Sequence, residues 1–155
     1  MQKKSLFFLQ FKKRLNRKAG GFTLVEIIVV VTIIIILFSI ILFIVSQYVN
    51  RSKDSNIEGN LVILIPSGEA YYTGHGNNSY EGFCDSSVVE NAFLQIPSES
   101  DPLCEVNEFG DQWAACAKLF VNKGKAFCVD SRGVKEEMDV ALCNEETSLT
   151  QCPQL

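Results

Sequence analysis

No acidic residue precedes Glu26 in this 155-residue chain, and no cysteine precedes Cys84. Histidine occurs once, at His75, and tryptophan once, at Trp113. A single imidazole cannot serve a Ser-His-Asp triad together with a histidine metal centre. The chain also lacks a Gly-x-Ser-x-Gly elbow, a phosphate-binding glycine loop, a His-Glu-x-x-His and a Cys-x-x-Cys. These absences point to a non-enzymatic protein with no cofactor and no metal. Asp130, Glu136, Glu137 and Asp139 offer hard oxygens for Ca²⁺, but their spacing is not that of an EF-hand. They read as solvated charge, as do Glu145 and Glu146.

The acid-free start is strongly basic. Lys3, Lys4, Lys12, Lys13, Arg14, Arg17 and Lys18 are 7 of the 14 basic residues, whereas all 18 acids come later. The formal charge of −4 therefore hides an asymmetry, and residues 22–155 alone carry −11. An acidic domain is a poor nonspecific binder of DNA, because phosphate contacts need Lys and Arg. After Glu26 the chain runs from Ile27 to Asn50 without a formal charge. At about 1.5 Å per residue a helix of that length covers roughly 36 Å, enough for a hydrocarbon core of about 30 Å. The run is too long for the apolar region of an ordinary secretory signal, and no Ala-x-Ala-like site follows it. Positive-inside logic keeps the leader cytoplasmic and sends the remainder across a single-pass inner membrane anchor.

Between the basic leader and the apolar run stands Gly20-Gly21-Phe22-Thr23-Leu24-Val25-Glu26. This arrangement closely resembles the class III signal of type IV prepilins and pseudopilins. The resemblance implies cleavage between Gly21 and Phe22 by a prepilin peptidase, which also N-methylates the new N-terminus at Phe22. It makes Glu26 the fifth residue of the mature chain, paired during assembly with the Phe22 ammonium of a neighbouring copy. An acid at the mouth of an apolar helix is costly, about 2.5 kcal/mol or more at the bilayer centre and less near the interface. The competing explanation of Glu26 is attraction to the positive end of the helix dipole.

The fold class implied is α+β. A long N-terminal helix, half membrane and half amphipathic, packs on a small antiparallel sheet. Four regions follow: a cleaved leader over 1–21, a membrane and filament-core helix over 22–50, an amphipathic extension over 51–74, and a disulfide-stapled head over 75–155. Ile57, Leu61, Leu64, Gly68 and Tyr72 share one helix face, with Arg51, Lys53, Asp54, Glu58 and Glu69 around the others. Pro66 predicts a kink between Leu61 and Pro66. Thr32, Ser39 and Ser46 recur seven apart, as a packing seam or as hydroxyls bonded to backbone carbonyls. The resemblance has one departure: Phe43 stands where many pilins carry proline.

Beyond the helix, Gly74-His75-Gly76-Asn77-Asn78 predicts a turn with His75 solvated. Ser87-Val88-Val89-Glu90 has capping-box spacing and predicts a short helix over Val88–Leu94. Pro97 and Pro102 bound an irregular loop. Trp113–Val121 and Lys125–Asp130 read as a hairpin through Asn122-Lys123-Gly124, with a third strand within Val134–Leu142. The polar tail from Cys143 is ordered only where cysteines hold it.

Six cysteines, Cys84, Cys104, Cys116, Cys128, Cys143 and Cys152, all follow the apolar run, as oxidation outside the membrane requires. Three disulfides are expected. Cys84–Cys104 closes around the short helix. A turn centred at Lys123-Gly124 sets Leu119 opposite Cys128 and leaves Cys116 on the other face, which disfavours Cys116–Cys128. Cys128–Cys152 with Cys116–Cys143 is preferred, and adjacent Cys143–Cys152 is the alternative.

The resemblance implies a structural subunit of a type IV pilus-like filament: membrane-anchored before assembly, extracellular afterwards. Its partners are the prepilin peptidase, the inner-membrane assembly machinery, the lipid bilayer, and copies of itself or related pilins. A pseudopilin of a type II secretion or DNA-uptake system is the rival within the family. A membrane-anchored binding domain that never polymerises is the rival from another class. Whether the filament binds DNA, a surface or another cell stays open.

Overall fold

A computed structural model describes residues 21–153. The basic leader, apart from Gly21, lies outside the described residues. The chain divides into two compact units between Leu42 and Phe43. Helix α1, Leu24–Val62, starts in the first. In that unit the β-branched residues form helix despite low intrinsic propensity, since a backbone in lipid must bond to itself. An 18-residue window there reaches a mean hydropathy of 3.6, and none of it is buried. Such a segment is long and apolar enough to cross a membrane. The hydroxyls of Thr32, Ser39 and Ser46 donate to the carbonyls of Val29, Ile36 and Phe43, at 2.8, 2.7 and 2.9 Å. Each is therefore satisfied within its own helix.

In the second unit α1 stops at Val62 and α2 runs from Leu64 to Thr73. Pro66 has no N–H for the carbonyl of Val62, so the break falls at Ile63. Ile57, Leu61 and Leu64 are fully buried across that break, so the apolar stripe stays in phase. Gly68 continues the stripe. A Cβ there would come within 2.7 Å of Trp113 Nε1, so only glycine lets α2 close over the indole. Tyr80 and Phe83 complete this aromatic centre, with ring centroids 6.4 and 4.8 Å from Trp113.

Short helix α3 spans Ser87–Gln95. Its cap is Ser86, one residue before the expected box, and the Ser86 side chain makes no capping bond. The sheet is a meander of four antiparallel strands: β1 Leu103–Val106, β2 Trp113–Lys118, β3 Lys125–Asp130 and β4 Lys135–Asp139. Strand β1 falls at the edge of the stretch read as irregular; its four residues are set by pairing with β2 and by the Cys104 bridge.

The hairpin register corrects the sequence reading. Lys118 pairs with Ala126 and Cys116 with Cys128, so the turn is centred on Asn122. The shift brings Cys116 and Cys128 to one face rather than two. Its cause lies in α1. Asp54 accepts from Phe120 N at 2.6 Å and from Val121 N at 3.0 Å, so these donors leave the ladder and β2 ends at Lys118 rather than Val121. Asp54 thus belongs to the buried face of α1, not to its polar faces. Asp54→Ala removes two charge-assisted bonds and should lower stability by about 2 kcal/mol. Urea unfolding of the detergent-solubilised chain, followed by Trp113 fluorescence, measures this.

Both faces of the sheet are covered. Trp113, Ala115, Ala117, Leu119 and Val129 meet the helices. Ala114, Cys116, Ala126, Cys128 and Met138 meet the tail through Cys143 and Cys152. That double burial explains why β2 shows no apolar–polar alternation.

Candidate functional site

Residues 21–23 precede the helix in non-helical backbone. Thr23 ends that stretch: its carbonyl accepts from Ile27 N at 3.3 Å, and its Oγ1 accepts from Glu26 N at 3.3 Å. Thr23-x-x-Glu26 has capping-box spacing, and the bond to Oγ1 is one half of such a box. Glu26 thereby falls in the first turn, exposed, where the helix dipole favours an acid. Phe22 is 73% exposed and Leu24 74%, a large apolar surface with no other described residue covering it. A Cβ built at Gly21 meets nothing within 4 Å, so the fold itself makes no demand for glycine there. Gly21, Phe22 and Glu26 thus lie within one short, accessible stretch at the start of α1.

The cysteines come together in three pairs: Cys84–Cys104, Cys116–Cys143 and Cys128–Cys152, with Cα separations of 5.5, 6.0 and 5.9 Å. Each closes a loop worth about 3 kcal/mol on the chain-entropy estimate. Cys116 and Cys128 are direct cross-strand neighbours, yet each bonds to the tail. In the observed register Cys116 and Cys128 share a face, so side-chain alternation does not separate them as the sequence suggests.

Asp130 is a second residue whose role the sequence hid. It is fully buried, and its carboxylate accepts from Arg132 N, Val134 N and Cys152 N at 2.9, 3.2 and 3.0 Å. The Arg132 guanidinium forks onto the same carboxylate and also reaches the Cys152 carbonyl at 2.7 Å. Asp130 and Arg132 therefore clamp the tail beside its disulfide, and Asp130 is not a free oxygen ligand for Ca²⁺. Among the described residues no group of three or more His, Cys, Asp or Glu converges as a metal site. The only local signal was Asp130-Ser131-Arg132-Gly133, which reads as a turn; the tail that supplies the other partners is distant in sequence.

Among the described residues two groups hold their protons more tightly than usual. The Glu58 carboxyl is raised by burial, then by the charges of Asp54 and Glu137. The Tyr80 phenol is pushed up to about 12 by burial, then by its hydrogen bond to Glu69 Oε1 at 3.0 Å and by the Glu69 charge. Because the folded pKa exceeds the usual 10, the folded state holds this proton more tightly than the unfolded chain. Its contribution is complete below about pH 10 and is lost as pH rises towards 12. An absorbance titration should show one of the four tyrosines ionising near 12, and Tyr80→Phe should abolish that late step.

No curated protein and no solved structure matches the chain. Residues 16–42 do match a family model, the prokaryotic N-terminal methylation motif. That span holds the Gly21–Phe22 junction, the Thr23 cap and Glu26. At its N-terminal end the chain therefore carries the class III signal of type IV pilins, and that signal fits a pilin-like precursor.

Proposed function

We propose that this chain is a structural subunit of a type IV pilus-like filament. The single observation that carries the reading is the methylation motif lying on the start of an apolar helix that is wholly exposed in the isolated chain. The leader stays in the cytoplasm, α1 anchors the precursor, and the disulfide-bonded head lies outside. Peptidase cuts between Gly21 and Phe22 and methylates Phe22. In the filament the apolar helices cover one another, and the Phe22 ammonium of one copy meets Glu26 of the next. Such a pair holds each charge against an opposite one in surroundings that punish either alone.

The three disulfides and the Asp130–Arg132 clamp suit a head of modest core that works outside the cell. Mechanical shearing of intact cells tests the reading. The sheared fraction should contain filaments that react with antibody to this head. Recovery of the chain only from membranes, with no filament in the sheared fraction, would overturn the surface-filament reading.

A further inference from the structure

A groove of about 660 Å³ runs along α3 beside the Cys84–Cys104 bridge. Its floor is apolar, with Val89, Phe93 and Ile96, and Leu94 at its rim is 76% exposed. Asp85, Glu90 and Asp101 stand around it, each on the exposed surface. Lys118 reaches Asp101 from β2 at 2.5 Å; Asp85 and Glu90 have no such ion pair among the described residues. An occupant matched to this groove has an apolar side chain flanked by cations.

The chain presents that combination elsewhere on its own head. The β2–β3 turn carries Val121, 56% exposed, with Lys123 exposed and Lys125 half-buried beyond it. Asp54 accepts from the Phe120 and Val121 amides of this turn, and Lys125 N donates to Asn122 O at 2.9 Å. Among the described residues five other cations remain, and three of them are engaged: Lys53 lies over the Phe120 ring, Lys118 on Asp101 and Arg132 on Asp130.

We infer that the α3 groove is the docking site for the β2–β3 turn of a second copy of this chain. Val121 enters against Val89, Phe93 and Leu94, while Lys123 and Lys125 face Asp85 and Glu90. The surfaces differ, so the contact is heterologous. A heterologous contact that does not close into a ring propagates as a helix of subunits, the symmetry a filament needs. Opposite charges at its rim set register and exclude wrong neighbours. The inference rests on the filament reading above and assigns it a specific head-to-head contact.

The test places a photo-crosslinking phenylalanine analogue at Leu94 in the full chain and maps the adduct by mass spectrometry. In filaments it should join the segment around Val121–Lys125 of another copy. Asp85→Lys or Lys123→Glu alone should lower filament yield about tenfold, and the two together should restore it. Adducts to any other segment, to an unlike protein, or failure of the double reversal to restore filaments would overturn the contact while leaving the filament reading intact. If the unmodified chain forms no filaments in a piliated host, both fall.

Discussion

Gly21→Val should accumulate uncut precursor in the membrane and nearly eliminate mature chain and filaments. Two physical facts set this expectation. A peptidase must take the scissile segment in extended form, and glycine allows that approach without a side chain in the cleft. The fold, by contrast, is indifferent to a side chain there, since a Cβ at Gly21 meets nothing within 4 Å. The substitution therefore separates processing from folding. Helix α1 begins three residues later and should be unchanged, as should the disulfide-bonded head. Immunoblotting of membrane and sheared fractions reads the result directly. A Gly21→Val chain cut as efficiently as the native one would remove the junction from the cleavage mechanism.

Glu26→Ala should behave in the opposite way, being inserted and cut but poorly assembled. Loss of the carboxylate makes the helix easier to place in lipid, by about 2.5 kcal/mol or more at the bilayer centre and less near the interface. It also forgoes attraction to the helix dipole, worth about 0.3–1 kcal/mol. Neither change removes the anchor. Assembly differs, because a Phe22 ammonium in the filament core would lose its partner. Breaking a buried ion pair costs about 3–5 kcal/mol, which weakens each subunit addition by roughly a hundredfold to a few thousandfold. Filament counts should fall steeply while the membrane pool stays at native level. The structure gives Glu26 a local role as well, in the first turn after the Thr23 cap. If that role were the whole explanation, the variant would form filaments in normal number.

The elements legible in the sequence were those whose signal is local. The uncharged run marks α1, Pro66 marks its break, and largely apolar runs between turns mark β2 and β3. What stayed hidden depends on contacts across the chain. The β2–β3 register is shifted by Asp54, 66 residues before Phe120. Counting from a local turn could not include that carboxylate, and the odd shift moved Cys116 to the opposite face. Strand β1 has only four residues and follows two prolines, so nothing nearby distinguishes it from loop. Asp130 reads as a turn residue because the tail amide it anchors is 22 residues away. At the proposed processing and assembly site the balance is different. Gly21, Phe22 and Glu26 lie within one short stretch, and the structure added the Thr23 cap to them.

Mass spectrometry of the N-terminal peptide, on protein sheared from cells that carry prepilin peptidase, tests the central claim most directly. The expected peptide begins at N-methylated Phe22. A chain that still begins at Met1 in that fraction would contradict it.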